Sequence, residues 1–172
     1  AYTFQIYFDF SGYSEMALGL ARMFGVVLPI NFYSPYKATS IIDFWARWHI
    51  TLSRFFRDYL YIPLGGNRKG QARRCANLVI TMLCGGLWHG AGWTFILWGG
   101  MHGVFLTINH GWRVMVGNKA TPCKKRSFFS VALSRLITFV AVITAWVMFR
   151  AESLVVAMSI YSGMFGYNGI SL

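Results

Sequence analysis

Acidic residues are scarce in this chain. It has 5 Asp and Glu among 172 residues against 16 Lys and Arg, a net charge of +11. Charged residues of both signs make up only 12%, about half the usual share in a soluble globular domain. The three cysteines, Cys75, Cys84 and Cys123, have no paired spacing, which excludes a disulfide framework or a CxxC metal site. No G-x-S-x-G elbow occurs, so a serine-centred triad is unsupported. The absence of G-x-G-x-x-G and G-x-x-x-x-G-K-[ST] leaves no conventional nucleotide fold. No initiator Met, basic n-region or cleavage site opens the chain, so no signal peptide is expected. The sequence reads as a fragment, with membrane sequence from its first residues.

What is present is apolar and aromatic. Hydrophobic residues make up 56%, with 7 Trp, 9 Tyr and 15 Phe. That composition excludes disorder and is too apolar for a nucleic-acid-binding domain, despite the charge. An all-α, polytopic membrane protein is expected, with the lipid bilayer as its surroundings and no nucleic acid as partner. Nine of the 16 basic residues sit in two acid-free stretches, 68–74 and 113–126, and both should face the cytoplasm by the positive-inside bias.

Residues 4–28 are long enough to cross a bilayer but carry Asp9, Glu15 and Arg22, which must face protein or a cavity rather than lipid. The FSGYS segment predicts a bend, with a helix from about Ser14 that Asp9, Ser11 and Glu15 would cap; a proton relay is the alternative for those three. Pro29 and Pro35 mark a loop. On a helical wheel, residues 39–60 form one amphipathic helix. Its charges (Asp43, Arg47, Arg54, Arg57 and Asp58) share a sector about 100° wide, and His49 lies on the opposite side between Trp45 and Ser53. Such a helix lies on the membrane surface or packs partly inside the protein.

The 38 residues between the basic stretches must enter and leave on one side, which is tight for two spans. A first limb from Cys75 to Trp88 would reach about 21 Å into a core about 30 Å thick. The Gly-rich segment 85–92 would then be a non-helical break past the middle of the membrane, carrying His89. Residues 93–112 form the return limb with His102 and His110. Residues 127–149 give the clearest span, and 153–166 begin another apolar segment.

His89 is the main candidate for chemistry, as a general base whose glycine neighbours admit substrate; a histidine bonded to a neighbouring helix is the alternative. His49, which also follows a Trp, is the second candidate, with a satisfied core histidine as its alternative. His102 and His110 lack carboxylate or thiol partners at ligand spacing, so no metal is expected. The basic stretches report topology first; binding the phosphates of an anionic donor is a secondary reading.

Three blocks in series, YFDFSGYSEMALGLARMFG, LPINFYSPYKATSIIDFWARWHITLSRFFRDYLYIPLGGNRKG and LCGGLWHGAGWTFILWGGMHG, resemble the membrane-bound O-acyltransferase superfamily. They are most similar to its alginate O-acetylating and teichoic-acid D-alanylating branches. Ala46 and Glu15 depart from the usual pattern without touching either histidine.

The resemblance implies a multi-helix fold with re-entrant and amphipathic helices. Residues 1–172 would be part of one such domain, lacking N-terminal helices and truncated at the C-terminus. It implies a multi-pass protein of the bacterial inner membrane with His89 and His49 as catalytic residues; beside them, Trp88, Trp48 and Trp45 are expected to line the substrate. No bound cofactor is implied. An acyl-CoA such as acetyl-CoA, or another acyl thioester, would be the cytoplasmic donor. The acyl group would reach an exopolysaccharide such as alginate indirectly, through periplasmic acetyltransferase partner proteins. D-alanyl transfer to teichoic acid is the alternative within the family, and a transporter or non-catalytic scaffold the alternative outside it.

Overall fold

The computed structural model describes residues 2–116 and 127–167, and everything described is helix, turn or loop. The chain runs α1 (Tyr2–Met23), a 3-10 turn (Pro35–Lys37), α2 (Ile41–Trp45), α3 (Ile50–Phe56), a π turn (Arg57–Tyr61), α4 (Gly70–His89), α5 (Trp93–Met115), α6 (Phe128–Arg150) and α7 (Leu154–Met164). Among the described residues one helix, α6, is both long and apolar enough to cross a membrane. The second basic stretch lies mostly outside the described residues, as does Cys123; Cys75 and Cys84 are free and half-buried.

Three sequence expectations are corrected. α1 is continuous through FSGYS. One glycine costs a helix interior about 1 kcal/mol, and aromatic packing outweighs it: Tyr7 meets Phe32 and Trp48, and Phe4 meets Tyr36 and Phe139. Asp9, Ser11 and Glu15 therefore sit mid-helix and cap nothing. The Ser11 hydroxyl instead donates to the Phe8 carbonyl three residues back.

The single amphipathic helix is two short ones. Ser40 caps α2 by accepting from the Asp43 N–H at 3.1 Å. The helix stops at Trp45, and His49 takes a left-handed backbone, φ 42° and ψ 57°. The loop ahead of α2 fills the gap, with Tyr33 N–H donating to the Arg47 carbonyl and Ile50 N–H to the Asn31 carbonyl. The charges thus form no common stripe. Asp43 pairs with Arg47 and Arg57 with its neighbour Asp58, each at 2.7 Å.

The third correction concerns the extent of the glycine-rich break. α4 starts at Gly70 and runs unbroken through Gly85 and Gly86 to His89, 20 residues or about 30 Å. Arg73 and Arg74 belong to the helix, because arginine is a good helix former; Arg73 is exposed, and Arg74 is half-buried against His110. The expected 14-residue first limb is therefore a 20-residue helix. The break is confined to Gly90–Gly92.

The glycines serve packing. A Cβ on Gly86 would stand 2.3 Å from the Phe95 carbonyl oxygen, and one on Gly99 2.2 Å from that of Met82. α4 and α5 therefore touch backbone to backbone, as small residues at a helix interface allow. The core lies where α2, α5 and α6 meet, around Phe44, Trp48, Trp98, Val142 and Trp146. Asn77, fully buried on α4, donates through Nδ2 to the Leu64 and Gly66 carbonyls and fastens the turn before α4. Ser153 caps α7, and the Tyr161 hydroxyl ties that helix to the Thr144 carbonyl at 2.7 Å.

Candidate active site

His89 is the last residue of α4. Its ring meets Trp88, Trp98 and Phe149 edge-on, at centroid separations of 4.9, 5.1 and 5.0 Å. Among the described residues no side chain or backbone group hydrogen-bonds to its nitrogens, so aromatic edges hold the imidazole while both nitrogens stay open to a ligand.

His49 reaches the same region from the break between α2 and α3. Phe10 stands edge-on to its ring at 4.8 Å, and His49 Nδ1 lies 3.2 Å from Asn31 Oδ1. Burial pushes its pKa below the ordinary histidine value, because desolvation disfavours the charged ring. Burial at this position thus favours the neutral imidazole over the charged ring.

The two histidines line a common cavity of about 770 Å³. Its walls include the aromatic Trp45, Trp98 and Phe149 together with Arg54, Arg57, Arg74 and His110. A second cavity, about 530 Å³, carries Gln5, Asp9, Tyr13 and Trp88. Both cavities include Ile6, Phe10, His49, His89 and Phe149 in their walls. The imidazoles therefore stand where the two spaces adjoin, the larger carrying arginines and the smaller Asp9.

The three tryptophans expected at the substrate occupy different settings. Trp48 is 4% exposed and mainly a core residue, packed against Phe32, Phe44 and Trp146, although its edge reaches the larger cavity. Trp88 is 59% exposed and borders the smaller cavity. Trp45 lines the larger cavity with its indole N–H donating to His102 Nδ1 at 3.3 Å.

Sequence reasoning weighed His102 only for metal binding; the structure makes it the fully buried anchor of Trp45. His110 accepts from Arg74 at 2.7 Å. Among the described residues no group of three His, Cys, Asp or Glu side chains could hold a metal. The basic wall is legible only in part: Arg74 belongs to a basic stretch whose secondary reading is phosphate binding. Arg54 and Arg57 fall in the charged sector of the predicted amphipathic helix, and only the fold brings α3, the π turn and α4 to one cavity.

The family model described as the membrane-bound O-acyltransferase family matches residues 1–157. A protein named peptidoglycan O-acetyltransferase from Helicobacter pylori is 51% identical over all of this chain and 32% of its own length. One named probable alginate O-acetylase AlgI from Pseudomonas fluorescens is 51% identical over all of this chain and 33% of its own length. A teichoic acid D-alanyltransferase from Streptococcus thermophilus is 34% identical over 86% of this chain and 39% of its own length. The chain spans about a third of the length of these curated relatives.

Proposed function

We propose, from the premise that this chain belongs to the membrane-bound O-acyltransferase family, that it carries the reaction centre of an O-acetyltransferase acting on a cell-surface polysaccharide. The observation carrying this reading is the pair His49 and His89 at the junction of two cavities, one with a basic wall. An acyl thioester of the acetyl-CoA class enters the larger cavity with its phosphates toward Arg54, Arg57 and Arg74. An acceptor hydroxyl approaches through the smaller one.

His89 takes the hydroxyl proton as the oxygen bonds to the thioester carbonyl carbon. The C–S bond then breaks, and the proton passes from the imidazolium to the departing thiolate. His49 orients the reactants, and Trp98 and Phe149 keep water from the thioester. The two cavities give the centre one entrance for donor and another for acceptor, which suits transfer across the inner membrane by a multi-pass protein to periplasmic partner proteins. The 51% identity to named O-acetylating proteins against 34% to a D-alanylating one supports acetyl over D-alanyl.

Deleting the parent gene should remove ester-linked acetate from the surface polysaccharide, and the wild-type gene should restore it. Unchanged acetate, or loss of D-alanyl ester instead, overturns the acetyl reading. Intact acetate with impaired solute movement would favour a transporter.

The basic wall gives a second expectation. Charge-assisted bonds contribute about 1.5–3 kcal/mol each, so Arg54→Gln with Arg74→Gln should raise KM for acetyl-CoA at least about tenfold. The turnover number should change much less. Steady-state kinetics with the full-length parent check this, and an unchanged KM removes these arginines from the donor site.

A further inference from the structure

We propose that Asn31 is a positioning residue that fixes the proton of His49 on Nδ1 and leaves the lone pair of Nε2 for the substrate. The inference rests on the role given to His49 above and adds which atom of its ring works.

Asn31 Oδ1 lies 3.2 Å from the Thr51 backbone nitrogen and 2.9 Å from Thr51 Oγ1. A backbone N–H can only donate, so the atom facing it must be the amide oxygen, and the orientation of the Asn31 side chain follows from chemistry. The same oxygen is 3.2 Å from His49 Nδ1. A carbonyl oxygen accepts and never donates, so Nδ1 carries the hydrogen. A neutral imidazole protonated there has its lone pair on Nε2.

Asn31 is itself tied down, because its backbone carbonyl accepts the Ile50 N–H at 2.9 Å. It thus grips the two residues that follow His49 as well as the ring. Phe10, edge-on at 4.8 Å, restricts the ring plane. With Nδ1 engaged, Nε2 is the atom left for the space where the two cavities adjoin, able to accept a hydrogen bond or a proton from a hydroxyl.

The test uses the full-length parent in membrane preparations with radiolabelled acetyl-CoA, following polymer-bound label as a function of pH. Asn31→Asp preserves the acceptor oxygen and every bond it makes, but adds a negative charge beside the ring. The charge favours imidazolium, so the pKa rises and the neutral ring is reached at higher pH. The acidic limb of kcat/KM should move upward by about one unit, with the alkaline plateau within about threefold of wild type. If the protonation state of His49 did not govern transfer, the limb would stay in place.

Variants at His49 identify the atom whatever becomes of Asn31→Asp. His49→Asn places an N–H at the Nδ1 position but nothing at Nε2, and should be as inactive as His49→Ala. His49→Gln can place an oxygen near Nε2 and should retain more transfer than His49→Asn. An unmoved acidic limb, or His49→Asn at least as active as His49→Gln, overturns the positioning role while an inactive His49→Ala keeps the histidine in the site. Wild-type transfer by His49→Ala overturns both.

Discussion

Replacing His89 with alanine is expected to lower acyl transfer by about 10²–10⁴-fold, the range that a positioned general base contributes. The size follows from how the ring is held. Aromatic edges from Trp98 and Phe149 fix it, and among the described residues neither nitrogen is committed to a protein partner. The substitution therefore removes the proton acceptor while leaving no buried polar group unpaired, so folding should survive. The check is polymer-bound acetyl per unit of membrane-inserted full-length protein. His89→Ala with wild-type acetylation at matched expression would sink the assignment, whereas reduced protein in the membrane would show that the ring is needed for packing.

The second large effect is on stability. Gly86→Ala or Gly99→Ala should each cost about 3 kcal/mol, the upper part of the usual range for overpacking a filled interior. The added carbon would meet a main-chain carbonyl oxygen at 2.3 or 2.2 Å. A backbone cannot rotate aside as a flexible side chain can, so α4 and α5 must separate along their contact. Gly12→Ala in α1 is the internal control. Nothing lies within 4 Å of a carbon added there, and alanine favours a helix interior over glycine by about 0.5–1 kcal/mol. Monodisperse full-length protein surviving a heating series in detergent measures both. Equal survival of Gly99→Ala and Gly12→Ala would show that the helices do not pack through these glycines.

The elements legible in the sequence were those whose cause is local. α5 and α6 follow from long apolar runs with few interruptions, and the loop ending at Pro35 from its prolines. The break between α2 and α3 was not legible, because Asn31, which accepts the first N–H groups of α3, is 18 residues from His49. A helical wheel has no means of registering an acceptor that arrives from another segment. Gly85 and Gly86 were misread for a related reason. Glycine signals either a break or a close approach, and only the position of α5 decides which.

Within the site, the two histidines stood out because each follows a tryptophan and lies away from the clustered charges. Their meeting at one cavity depends on the path of the chain between α3 and α4. The roles of Asn31, His102 and Arg74 exist only through partners 18, 57 and 36 positions away, beyond what spacing can reveal.

The left-handed backbone at position 49 sets stability against function. At φ 42° a residue with a Cβ is held at a cost of about 1 kcal/mol, which glycine would not incur. Selection of this chain for heat resistance alone would thus be drawn to position 49, and the substitution it rewards would delete an imidazole from the cavity wall. Strain at this one peptide and the presence of the ring are the same fact, and the rest of the fold must be stable enough to carry it.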